Sequence, residues 1–465
     1  MRIIRSKETT ADMEDNPSQM CAASRLTECF AITDLPSVVA THMLSFLTWE
    51  DKLNSIIAIP PWSSCLRAVS AWKCVEYGNE MDENVYFLKE KRTKFLFCIK
   101  QYGKYMRSLK LTFGSKLNHM AIKMMHAISE FCPHLTDFYI GQEIPMQVDE
   151  SLIWRKSVVS AICGILHHCK VLNNVSICQP VVDWTESPDN NIILNLIQQG
   201  LAHKVTNLEL NAESLWEHEG YLEFLKNFTH LKRLVTRREN ITDEILLFLV
   251  QHKLEEVTLV QEEEIPLQQQ EHLKEGFWTK VLNICPTFKI DMILRYIMVI
   301  KDSFPAKMPL RTLILDDLVN IVTKGVLEHL VENYKDCLQH FTYTNSLLEN
   351  YETGDRRLPS SLVNMAVKCQ KLRSLQYGFP LSSTSILLLA RARKLEKLLV
   401  QAVEVSYEYD WQTDPNWSPD FVAWLKESGK NEKALELAVS EILGFKWKLN
   451  YDPFTLDEQL NTMYM

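Results

Sequence analysis

The chain has 465 residues, room for one elongated domain or two to three compact ones, and the charged and apolar fractions of an ordinary soluble protein. A formal net charge of −9 argues against a general phosphate-binding surface, and so against nucleic acid as a partner. With only 13 glycines, Gly-rich phosphate loops are not expected, and no GxSxG, HExxH, P-loop or GxGxxG occurs.

Residues 1–28 are polar and acidic where a signal peptide needs an apolar core, so they read as a disordered tail. The longest apolar runs, 245–250 and 386–390, fall far short of the ~20 residues of a membrane helix. Twelve irregularly spaced cysteines without a secretory signal read as reduced thiols packed as small apolar residues. Together these features place the protein in the cytoplasm or nucleus.

Residues 35–62, "LPSVVATHMLSFLTWEDKLNSIIAIPPW", come after the tail. Leu35 precedes Pro36, which lacks an amide donor and suits the opening turn of a helix. Val39, Met43, Phe46 and Leu47 then recur at i, i+4, i+7 and i+8, one apolar stripe. A second helix is expected from about Glu50 and Asp51, with Leu53, Ile56 and Ile57 inward, until Pro60 and Pro61 stop it before Trp62. Helices this short cannot bury that stripe alone, so it invites a partner or serves as a cap on the remainder of the chain.

From residue 106 one spacing repeats: an apolar residue, then others three and five positions on. It appears as Met106-Leu109-Leu111, Leu135-Phe138-Ile140, Leu172-Val175-Ile177 and Val205-Leu208-Leu210. It continues as Leu254-Val257-Leu259, Leu310-Leu313-Leu315, Leu338-Phe341-Tyr343, Leu372-Leu375-Tyr377 and Leu395-Leu398-Val400. Leu231-Leu234 ends on Thr236, and the segment at Phe288 is a weaker member. In this pattern the last two positions alternate inward from a short strand, and the first packs the preceding turn. Amphipathic helices such as 240–252 lie between, there with Thr242 as the cap and Asp243 and Glu244 in the first turn. Cys132, Cys169, Cys285 and Cys369 each stand three residues before a repeat's first apolar position.

Few groupings of residues point to chemistry. Cys163 and His167 share a helix face beside His168 and Cys169, but no second pair occurs at the spacing of a structural zinc site. No catalytic residue, metal ligand set or cofactor is assigned. The segments 236–240 ("TRREN") and 261–266 ("QEEEIP") read as a surface turn and a solvated loop. Residues 407–425 gather Tyr407, Tyr409, Trp411, Trp417 and Trp424, either as a cap on the last repeat or as substrate contacts, Trp411 and Trp417 above all. The insertion 179–190 is a weaker loop of the same kind.

The spacing and its cysteines resemble the cysteine-containing leucine-rich repeat. Residues 35–72 resemble the F-box in Leu35-Pro36, Val38-Val39, Met43-Leu44, Phe46-Leu47, Asp51, Leu53, Ile56-Ile57, Trp62 and Trp72. They depart from it at Val38, where Glu is common, and at Ala58-Ile59-Pro60. The segments 99–113, 152–162 and 239–250, and loosely the tail after "LNY", are similar at low identity to the subgroup around F-box only protein thirty-nine.

The resemblance implies an α/β protein: a short all-α F-box followed by a leucine-rich-repeat solenoid, or horseshoe. The expected divisions are a tail at 1–28, F-box at 29–78, helical linker at 79–105, solenoid at 106–404 and C-terminal cap and tail at 405–465. It also implies a substrate-recognition subunit of a Skp–cullin–F-box ubiquitin ligase with no catalytic residue of its own. The Skp adaptor, and through it a cullin–RING scaffold, would be held by Leu35, Pro36, Val39, Met43, Phe46, Leu47, Leu53 and Trp62, with Trp72 behind them. The repeats would hold a substrate protein, and the polar strand positions such as Lys110, Asn207, Glu209, Glu256 and Gln376 look alike in sequence, so none of them is singled out as a contact. Two alternatives remain open: a repeat scaffold that docks no adaptor, and an enzyme with a site at the concave face or among Cys163, His167 and His168.

Overall fold

Helix signals in the first seventy residues are short and interrupted, and each is terminated by a nameable residue. The computed structural model describes residues 32, 35–78, 85–113, 119–142, 152–178, 191–211, 221–262, 273–298, 303–316, 318, 322–344, 358–412 and 414–451. The tail 1–28, the insertion 179–190 and the end of the chain from 452 lie outside them. The chain forms two compact units, one ending at Lys73 and one beginning at Cys74.

In the first unit, helix α1 (Ser37–Ser45) starts directly after Pro36, whose carbonyl accepts the Ala40 amide at 3.0 Å. Helix α2 (Trp49–Ala58) is capped by Thr48, whose hydroxyl accepts the Asp51 amide at 3.1 Å and donates to its carboxylate at 2.9 Å. Pro60 and Pro61 end α2 as expected, and the chain continues as 3₁₀ turns over Pro60–Arg67 and Val69–Trp72. Ala40, Leu44, Trp49, Trp62, Leu66 and Trp72 form the core, with the Trp72 indole donating to the Leu66 carbonyl at 2.6 Å.

The second unit alternates strands and helices. Its first half runs β1 (Cys74–Tyr77), α3 (Val85–Tyr102), β2 (Ser108–Phe113), α4 (His119–Phe131), β3 (Asp137–Gln142), α5 (Leu152–His168), β4 (Asn174–Cys178), α6 (Ile192–Gln198), β5 (Asn207–Asn211), α7 (Tyr221–Leu225) and β6 (Arg233–Arg237). The second half runs α8 (Asp243–Gln251), β7 (Glu256–Gln261), α9 (Glu275–Ile284), β8 (Lys289–Arg295), β9 (Leu310–Asp316), α10 (Lys324–Tyr334), β10 (His340–Thr344), α11 (Leu358–Lys368), β11 (Ser374–Tyr377), β12 (Leu381–Ser382), α12 (Ser383–Ala392), β13 (Lys397–Val400), β14 (Val405–Ser406), α13 (Pro419–Ser428) and α14 (Glu432–Leu443).

β1 to β11 and then β13 pair in chain order as one 12-stranded, all-parallel sheet, while β12 and β14 pair apart. Neighbour-to-neighbour parallel order is what a leucine-rich-repeat-like solenoid requires, because each strand returns beside the last through its own helix. The register stacks the repeat's apolar positions: Leu109 on Phe138, Phe138 on Val175, Val175 on Leu208 and Leu208 on Leu234. All five are buried, and consecutive helices such as α3, α4 and α5 pack against one another.

The repeat cysteines occupy one structural place. The amides of Cys132, Cys169, Cys285 and Cys369 each close the last turn of the preceding helix, and the Cys169 thiol donates to the Cys132 carbonyl at 3.2 Å. Burial pushes the Cys169 and Cys369 thiols up to about 12, so both stay protonated and act as packing groups. Gly103 is required here, since an added Cβ would lie 2.7 Å from both the Cys132 sulfur and the Phe131 carbonyl oxygen.

Repeat structure begins earlier than expected. β1 pairs with β2 inside the segment assigned to the F-box, and α3, within the expected linker, packs on α4. Among the described residues, no helix is long and apolar enough to cross a membrane.

Candidate functional site

Two surfaces stand out, one on each unit. In the first unit α1 buries Ala40 and Leu44 and turns its longer apolar side chains outward. Val38 is 78% exposed and Phe46 76%, with Val39, Met43 and Leu47 exposed beside them. A helix that buries two residues and leaves most of its large apolar side chains in water is not built only to close its own core. Leaving Phe46 in water forgoes about 2 kcal/mol that covering it would recover.

Of the residues expected to dock an adaptor, Val39, Met43, Phe46 and Leu47 share this exposed surface, and Pro36 is exposed too. Leu35 and Leu53 are half-buried. Trp62 is not on the surface: only 5% of it is exposed, and its indole N–H has no hydrogen-bond partner among the described residues. The Pro60–Arg67 turn folds that ring inward, so Trp62 supports the surface from within. Ile57, expected inward, is 78% exposed. The α2 positions that are fully buried are Trp49 and Lys52, the latter with its ammonium 5.3 Å from the Trp72 ring centroid.

The second surface is the strand face opposite the buried leucine rows. Over β1 to β6 it holds a cavity of ≈ 350 Å³. Its polar lining comes from two strand positions: Ser108, Asp137, Asn174, Asn207 and Arg233 in one row, Glu76, Lys110, Tyr139, Ser176 and Glu209 in the next. Side chains bond along the rows. Asn207 donates to the Asn174 side-chain carbonyl at 2.6 Å, Asn174 donates to the Asp137 carboxylate, and Ser176 donates to Glu209. Lys110 lies over the Tyr139 ring, 5.2 Å from its centroid.

Beyond β6 the same face is built differently. Thr258, Asp291, Thr312, Thr342 and Gln376 are buried there, with a cluster of Val235, Val260, Ile293 and Ile314. A register slip between Ile290 and Asp291 adds Arg311 beside Thr312. Arg311 reaches both Glu256 oxygens, at 3.0 and 3.2 Å, and pairs with Asp291. Burial would raise the Glu256 carboxyl, but Arg311, Lys289 and Arg233 outweigh it and hold it down at about 2. The polar strand positions that look alike in sequence are thereby told apart: Lys110, Asn207 and Glu209 line the cavity, Glu256 is engaged in ion pairs and Gln376 is buried.

Other expected sites resolve into packing. Residues 236–240 are buried rather than a surface turn, because Arg237 pairs with Glu262 at 2.9 Å and Glu239 at 3.6 Å. Gln261 is buried in β7, and Glu262 also pairs with Arg295 at 3.6 Å, so the acidic run starts inside the fold; residues 263–266 lie outside the described set. Near Cys163, the His168 ring nitrogen Nδ1 sits 2.8 Å from the Gly164 carbonyl oxygen and 2.9 Å from the Ser129 hydroxyl, while the His167 side chain is exposed. No group of three metal-ligating side chains occurs among the described residues.

Trp411 and Trp417 are half-buried in the C-terminal packing. The Trp411 indole donates to Ser385 at 2.7 Å, and Trp417 meets Phe421 edge-on at 5.3 Å. Arg391 lies over Phe421 and Trp424, 4.7 and 5.6 Å from their centroids. The Trp447 indole, which no sequence pattern singles out, donates to the Leu398 carbonyl at 2.7 Å. It covers the last strand of the large sheet.

No protein-family model matches the chain, and no curated protein matches it significantly.

Proposed function

We propose that this chain is a substrate-recognition subunit of a Skp–cullin–F-box ubiquitin ligase, holding the Skp adaptor with its first unit and a substrate protein with its repeat sheet. The observation that carries the reading is the outward apolar side of α1: Val38, Val39, Met43, Phe46 and Leu47 exposed together immediately after Leu35-Pro36. A partner covering five such side chains gains several kcal/mol of apolar burial, enough to offset part of the cost of association. The cullin–RING scaffold is reached through the adaptor. The chain then acts by proximity, holding a substrate at high effective concentration beside the charged conjugating enzyme, with no catalytic residue of its own. Reduced, buried cysteines such as Cys169 fit a cytoplasmic or nuclear protein.

The alternative is a repeat scaffold that docks no adaptor. Pro60 and Pro61, which end α2 after ten residues, favour it, as does Val38 in place of an acidic residue.

The test is co-expression of the full chain with the Skp adaptor, comparing wild type, Phe46→Asp and Leu35→Ala/Pro36→Ala. Co-purification with wild type and its loss in both variants, with unchanged circular dichroism, supports the ligase reading. Failure of wild type to bind leaves the scaffold.

A further inference from the structure

The cavity opens on the strand face over β1 to β6, whereas from β7 to β11 Thr258, Asp291, Thr312, Thr342 and Gln376 are buried, so a partner of the sheet meets the first half. There the cavity surface is mostly apolar, and its charged groups are three carboxylates, Glu76 on β1, Asp137 on β3 and Glu209 on β5, against Lys110 and Arg233. Arg233 also meets Glu256 at 2.8 Å, a carboxylate outside the lining that it shares with Arg311 and Lys289. With three carboxylates against two cations, the lining is net acidic by one charge. Glu76 is exposed and makes no ion pair with any described residue. A phosphate entering here would face three like charges against two opposite ones, and a wholly apolar segment would strip water from the carboxylates without replacing it.

Between the carboxylates runs the side-amide row. Asn174 and Asn207 each spend one N–H within the row, and a primary amide has two. Their remaining N–H groups suit the carbonyl oxygens of an extended main chain. The spacing sets a length. Four strand intervals of about 4.8 Å separate Glu76 from Glu209, about 19 Å, which an extended peptide covers in about six residues.

We infer that this cavity binds an extended peptide segment of about six residues carrying lysine or arginine at more than one position. Its basic side chains pair with Glu76, Asp137 and Glu209, and its carbonyls accept from Asn174 and Asn207. Naming the segment as the substrate's rests on the ligase-receptor reading; the cavity itself involves no adaptor-docking residue.

The probe is a fluorescein-labelled Gly-Ser-flanked Arg-Gly-Lys-Gly-Arg peptide, read by anisotropy with the full chain. Matched peptides replace the basic residues with glutamate or add phosphoserine. Saturable binding of the basic peptide alone is expected, weakened about tenfold or more by Glu76→Gln/Asp137→Asn/Glu209→Gln. Glu130→Gln/Glu332→Gln/Glu441→Gln makes the same charge change on exposed helix positions and is expected to leave affinity within about twofold. Lys110→Glu, which deletes no carboxylate, is expected to tighten binding and so covers the case of a triple variant that misfolds. Equal weakening by the two triple variants, preference for the phosphorylated or acidic peptide, or no saturation by about 1 mM overturns the inference. The adaptor pull-down is read separately. A chain that binds the adaptor but not the peptide refutes this inference alone, and one that binds the peptide but not the adaptor refutes the ligase reading alone.

Discussion

Helices α1 and α8 have nine residues each and comparable apolar content, yet they use it in opposite ways. α8 buries Ile245, Leu246, Leu249 and Val250 beneath the repeat stack and is capped by the Thr242 hydroxyl, which accepts the Ile245 amide at 3.3 Å. α1 has no side-chain cap, buries only Ala40 and Leu44, and leaves Val38, Val39 and Met43 in water. One helix spends its apolar surface on its own fold. The other keeps it for a second molecule. Apolar content therefore does not tell stability from binding; the side the residues face does.

The sharpest way to break this contrast is paired truncation. Leu249→Ala should cost about 2–5 kcal/mol in denaturant unfolding, because it leaves a cavity among packed neighbours. Phe46→Ala should stay within about 0.5 kcal/mol of wild type by the same measurement. Comparable losses for the two would mean that α1 also closes a core.

Arg311→Ala should come next, at about 2–3 kcal/mol, since it strands the buried Asp291 and leaves Glu256 to Arg233 and Lys289 alone. The same network sets a pH response. Glu256 titrates at about 2 in the folded chain against an ordinary 4.5, so its contribution is complete above about 4.5 and is lost as pH falls toward 2. Urea midpoints measured from pH 6 down to pH 3 should therefore fall more gently in Arg311→Ala than in wild type. A parallel decline would place the acid sensitivity in other carboxylates.

Thr242→Ala should give the smallest loss, about 1 kcal/mol, because one amide of the first α8 turn loses its acceptor. A circular-dichroism melt resolves it. No comparable substitution exists in α1, which is held from its Pro36 end and from the Cys65 thiol, 3.7 Å from the Ser37 carbonyl oxygen.

Much of the repeat architecture was legible because it is local. Strand positions such as Leu208 and Leu210, the Thr242 cap and the cysteine after each helix occupy nearest-neighbour places that short-range spacing reports. The first repeat was hidden although Trp72, Val75 and Tyr77 carry the same spacing in aromatic and branched form, all buried. In sequence those residues overlap the end of the motif before them, which already claims Trp72. The cavity was hidden for another reason: its lining comes from strands as far apart in sequence as Cys74 and Val235, and only register brings them side by side.

The sequence by itself determined the repeat unit, its strand and helix phases and the apolar stripe of α1, all properties of spacing along one segment. The tertiary structure decided accessibility. Trp62 turned inward while Phe46 stayed out, residues 236–240 were buried with ion pairs reaching Glu262, and equivalent strand positions were half-buried at Glu209 yet buried at Thr258. Exposure depends on which distant segments lie over a residue, and no short-range pattern encodes that.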